Sequence, residues 1–143
     1  MDERFTPRPI ARWYTAAAIA SLLFMLLGCA VYAMHVLTDP NSLPLDQRAM
    51  FEAEPRWVTV ALGIASAVGL VGAIMLLLRR KAAVPLMLVS LVAALLWFGG
   101  LFAVPRLRDV LGSNDIAVAI AVVFLSWTIF WFARHSRQRE WLR

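Results

Sequence analysis

Polar and apolar positions along this chain are sorted into long blocks. Asp, Glu, Lys and Arg are absent from Trp13–Leu37, Trp57–Leu78, Ala82–Val104 and Ile116–Ala133. About 20 apolar residues in a helix cross a hydrocarbon core of about 30 Å, and these runs, roughly 18 to 25 residues each, are long enough. The pattern predicts an all-α polytopic membrane protein. One membrane domain over residues 1–143 forms an antiparallel four-helix transmembrane bundle with spans at about 13–37, 57–78, 82–104 and 116–133.

The breaks between blocks predict the connections. Thr38-Asp39-Pro40-Asn41-Ser42 reads as a turn and helix start, with Asp39 or Ser42 as the cap. Residues 42–54 then mix apolar Leu45, Ala49, Met50 and Phe51 with polar Asp46, Gln47, Arg48, Glu52 and Glu54. This predicts a short amphipathic helix on the outer membrane surface between spans 1 and 2. Pro55 ends it and Trp57 anchors the second span at the interface. Arg79-Arg80-Lys81 alone joins the second and third spans, which makes them antiparallel neighbours. Pro105 closes the third span, and Arg106–Asp115 reads as a loop with a turn and cap at Gly112–Asp115. The opening segment with Pro7 and Pro9 is not helical, and Trp141 in the basic tail is placed to touch lipid headgroups.

Charge gives the bundle a direction. The chain carries +5, with 14 Lys and Arg against 9 Asp and Glu. Arg4, Arg8, Arg12, Arg79, Arg80, Lys81, Arg134, Arg137, Arg139 and Arg143 all fall on one side, leaving Arg48, Arg56, Arg106 and Arg108 on the other. Basic residues in short loops stay cytoplasmic, so both termini are predicted inside. The localisation that follows is a multi-pass membrane protein, N-in and C-in. The basic termini and Arg79–Lys81 would meet anionic inner-leaflet lipid, and no nucleic-acid partner is expected.

A single cysteine, Cys29, excludes an internal disulfide. Leu26-Leu27-Gly28-Cys29 approximates a bacterial lipobox, but Leu27 is unusual before the glycine and the apolar run continues to Leu37. An uncleaved first helix is the preferred reading.

Small residues mark helix contact faces in lipid, where close packing replaces the hydrophobic driving force. Ala65, Gly69 and Ala73 recur at steps of four, with Gly72 beside them. They predict a packing face against the first or third span, or a homodimer seam. Candidate chemistry is sparse. His35 and His135 are predicted at opposite membrane faces, so they cannot share a haem. No cofactor or metal is expected. Ser66, Ser90, Ser126 and Thr128 are the mid-membrane polar groups, and a neutral solute could sit between their hydroxyls and the rings of Trp97 and Trp127. Ion coupling would require an ionisable group there. Asp46, Glu52 and Glu54 form the outer carboxylate cluster, read as solvated surface because residues 52 and 54 point to different helix faces.

Pro44-Leu45-Asp46-Gln47-Arg48-Ala49-Met50-Phe51, Pro55-Arg56-Trp57, Leu76-Leu77-Leu78-Arg79-Arg80, Ala83-Val84-Pro85 and Ser90-Leu91 carry a resemblance. Residues 28–91 resemble a family of small bacterial four-span inner-membrane proteins, often given the automatic label "sugar transporter". The chain departs from that pattern at Glu54, where the family tends to be aromatic. The resemblance implies the four-span fold and no assigned catalytic residue. It concentrates interest on an outer surface comprising Asp46, Gln47, Met50, Phe51, Pro55, Arg56 and Trp57. The favoured function is therefore non-enzymatic: an accessory or structural membrane protein acting through helix faces and the outer segment, as a homo-oligomer or within a larger complex. The alternatives are an oligomeric transporter of a neutral, sugar-like solute and, more weakly, a redox or cofactor-binding subunit.

Overall fold

Hydrocarbon offers no partner to backbone N–H and C=O groups, so an apolar run crossing it must bond to itself as a helix. The computed structural model, which describes residues 9–143, has this character throughout. The long helices are α1 (Arg12–Leu37), α3 (Arg56–Leu77), α4 (Ala83–Ala103) and α6 (Ser113–Gln138), each long and apolar enough to span a membrane. A 3-10 turn (Pro40–Ser42) and α2 (Leu45–Ala53) join the first pair, and α5 (Pro105–Val110) joins the last. The protein is a four-helix transmembrane bundle. The polar segment through Arg8, with Pro7, lies outside the described residues.

Two boundaries differ from the pattern. The last helix extends beyond the charge-free run at both ends, through Ser113–Asp115 and Arg134–Gln138. Loss of apolar character marks where a helix leaves hydrocarbon, and the helix itself continues until its caps. The stretch read as a loop contains α5, which starts on Pro105, a residue preset for a first helical turn. At the turn after α1, Asp39 is the cap: its carboxylate accepts from Asn41 N–H at 2.9 Å.

Packing follows the order α1, α3, α4, α6, so α3 and α4 are central. The small-residue face of α3 is buried at Ala65, Gly69, Gly72 and Ala73. A Cβ on Gly69 would lie 2.5 Å from Met25 Sδ of α1 and 2.7 Å from Ser90 Oγ of α4, so this residue sets the spacing of three helices. Hydrogen bonds reinforce it. Tyr14 hydroxyl donates to Leu76 C=O at 2.6 Å, Cys29 Sγ to Ser66 C=O at 3.3 Å, and Ser90 Oγ to Ala65 C=O at 2.7 Å.

The bundle has a lid end, where α2 and α5 pack together, and a basic end that gathers Arg12, the α3–α4 turn and the tail. At the basic end, Trp13 and Tyr14 of α1 meet Phe132 and Trp141, with ring centroids 5.4 to 5.8 Å apart. Trp141 is only 8% exposed, so it closes the bundle instead of touching headgroups. The reason is the chain reversal after α6. Glu140 adopts φ 59, Trp141 N–H bonds back to Ser136 C=O at 3.0 Å, and the tail turns inward. Arg79 ends α3 in the same way, with φ 60 and Arg80 N–H bonded to Met75 C=O at 2.8 Å. The two reversals then pair. Arg143 N–H donates to Arg79 C=O, Lys81 N–H to Arg143 C=O, and Arg79 Nε to Trp141 C=O.

Candidate functional site

At the lid end, one carboxylate ties three helices. Glu54 follows the last residue of α2, where the backbone turns extended before Pro55. Its Oε2 lies 3.2 Å from His35 Nε2 of α1, and its Oε1 accepts from Thr59 Oγ1 of α3 at 3.0 Å. The His35 ring also stacks on Phe51 of α2, with centroids 4.2 Å apart. The Glu54 side chain is 7% exposed, so the solvated-surface reading fails for it. That reading assumed one continuous helix. Pro55 breaks the helix, and the break turns Glu54 inward while Glu52 stays outside, paired with Arg48 at 2.8 Å. Sequence spacing also hid His35, whose partner arrives from another element.

The other outer residues divide into two sets. Met50 packs against the buried cluster of Val58, Leu101, Leu107 and Ala119, Phe51 carries His35, and Pro55 precedes the first turn of α3. Asp46, Gln47, Arg56 and Trp57 are exposed, with Gln47 at the rim of the space beneath α2. The Trp57 ring lies over Gly100 of α4, where a Cβ would approach it to 2.7 Å, yet half of the residue remains exposed. Beneath α2 is a cavity of about 390 Å³, with His35, Gln47, Phe51, Glu54 and Asp115 among its walls.

A second cavity, about 280 Å³, lies between all four long helices at mid-depth. Its walls include Phe24, Met25 and Gly28 of α1, Ser66 of α3, Ser90 and Trp97 of α4, and Val122 and Ser126 of α6. Ser66 donates to Leu62 C=O at 2.9 Å and Ser90 to Ala65 C=O, so both hydroxyls are occupied. Trp127 lies outside this space. It faces lipid beside Phe124, and only Trp97 of the predicted pair lines the cavity. Thr128 likewise bonds its own helix at Phe124 C=O and is exposed. The histidines stay apart, His35 under the lid and His135 stacked on Trp131 at the basic end. Among the described residues no group of three His, Cys, Asp or Glu is placed to hold a metal ion.

Fold and site together define an integral membrane protein that crosses the bilayer several times. No family, no curated protein and no solved structure matches this chain.

Proposed function

We propose that the chain is a non-enzymatic protein of a bacterial inner membrane that works as an accessory in a larger membrane complex, or as a homo-oligomer, through its outer segment. The carrying observation is the construction of the lid. Glu54, His35, Thr59 and Phe51 hold α2 firmly to the bundle, while its free face presents Leu45, 82% exposed, together with Asp46. Rigid presentation of an exposed apolar residue beside polar ones suits a docking surface, because little ordering cost remains at binding. The basic end, with Arg79–Lys81 and the arginines from Arg134 onward, suits anionic cytoplasmic lipid.

Affinity capture of the tagged full chain from its native membrane tests this. A fixed partner, or a second copy, is recovered with the native protein and lost several-fold with Leu45→Asp, Trp57→Ala or Pro55→Ala, while Ser66→Ala leaves recovery unchanged. Equal recovery across all variants refutes the reading. A second reading, transport of a small neutral solute by an oligomer, draws on the central cavity. That cavity lies between the lid-end cluster and the aromatic closure at the basic end, so transport would require one of them to open. Uptake of neutral sugars by proteoliposomes decides it.

A further inference from the structure

We propose that the central cavity binds a neutral lipid-soluble molecule whose apolar body carries a carbonyl acceptor, admitted sideways from the bilayer between α1 and α6. Binding there does not depend on the docking role of α2. Its polar contact is Ser126. This residue is 7% exposed and lines the cavity, and among the described residues its hydroxyl has no hydrogen-bond partner, unlike Ser66 and Ser90 opposite. Among the described residues no fully buried side-chain polar atom lacks a partner, so the unbonded Ser126 oxygen is one that reaches the open space of the cavity, and its donor is available to a guest there.

The remaining walls exclude other guests. A water needs two to four polar partners, and an apolar cavity of this kind stays dry. An ion would find no countercharge, since none of the residues lining the cavity is ionisable. Depth excludes the ester carbonyl of an ordinary bilayer phospholipid. Ser126 lies near the middle of the charge-free part of α6, about 16 Å from Asp115 and about 12 Å from Arg134 at 1.5 Å per residue, whereas phospholipid esters stay at the edge of a core about 30 Å thick. The acceptor must travel to the midplane with its own apolar body. The ring carbonyl of a quinone and the carbonyl of a neutral fatty ester share that chemistry.

The path is visible in the packing. Leu27 and Val31 of α1 and Val118 of α6 line the cavity and are also exposed on the bundle surface, so the mouth lies between these two helices. Helices α1 and α6 are clamped by aromatic rings at the basic end and lack the broad contact that joins α1 to α3 or α4 to α6.

A decyl-substituted benzoquinone titrated against the full chain in detergent tests the site through quenching of tryptophan fluorescence, since Trp97 is in the wall. Saturable quenching is expected, displaced by methyl laurate and not by dodecane, which has no acceptor. Gly28→Leu, which fills the cavity from a position where a Cβ meets Ser66 Oγ at an ordinary 3.6 Å, weakens binding tenfold or more. Ser126→Ala weakens the quinone and the ester about fivefold and abolishes their advantage over dodecane, while Thr128→Ala has no effect. Helicity and thermal midpoint are measured on each variant, and Val122→Phe replaces Gly28→Leu if that chain does not fold. Relief of quenching by methyl laurate identifies the shared carbonyl chemistry, and saturable quenching that neither methyl laurate nor dodecane relieves narrows it to the quinone ring. Non-saturable quenching, equal displacement by dodecane, or selectivity that survives Ser126→Ala overturns the proposal.

Discussion

Glu52 and Glu54 show how much a single backbone break decides. Two carboxylates, two residues apart, differ in burial because Pro55 ends α2 between helix geometry and an extended residue. Breaking a buried hydrogen bond to a charged group costs about 2 kcal/mol, whereas an exposed ion pair contributes less than about 0.5 kcal/mol. Glu54→Ala therefore lowers unfolding stability in mixed micelles by about 2 kcal/mol, and Glu52→Ala barely changes it. Equal losses would mean that the His35 and Thr59 contacts do not hold the lid. Glu140 offers a change of opposite sign. Its left-handed φ of 59 strains an L residue by about 1 kcal/mol, so Glu140→Gly raises stability by about that amount in the same assay.

At the scale of elements, most of the fold was legible because hydrocarbon imposes one rule on every crossing segment. The four spans and the amphipathic α2 follow from runs of charge and from Pro55. The helix α5 did not. Six residues, Pro105–Val110, contain three charges and no apolar period, and what holds them is tertiary: Leu107 is fully buried against Val58, Leu101 and Ala119. Adjacent glycines in α4 test the close packing of these elements. A Cβ on Gly99 meets nothing within 4 Å, while one on Gly100 would press on Trp57 and Val58 at 2.7 Å. Gly99→Ala is expected to be neutral or to stabilise by up to about 1 kcal/mol, and Gly100→Ala to cost about 1–3 kcal/mol as the Trp57 anchor shifts. Unfolding followed by tryptophan fluorescence separates them, and matching effects would show that α3 and α4 are not in this contact.

For the whole molecule, sequence pattern gave the number of crossings but not their packing order. That α1 and α6 flank the open side depends on which small faces meet, and on the tail folding back at Glu140 to clamp them, neither of which leaves a periodic signal. The central site was only partly legible: Ser126 reads as a mid-membrane hydroxyl, whereas the cavity it lines forms only where four helices meet. Orientation is the remaining global property, and it rests on charge alone. The start of α1, the Arg79–Lys81 turn and the tail gather at one end, so a single direction must hold for all of them. With the basic end cytoplasmic, a cysteine placed at the exposed Leu45 in a Cys29→Ser background reacts with a membrane-impermeant maleimide in intact cells. A cysteine at the exposed Arg137 reacts only after lysis. The reverse pattern would invert the bundle and place α2 in the cytoplasm, moving the proposed docking surface to the other side of the membrane.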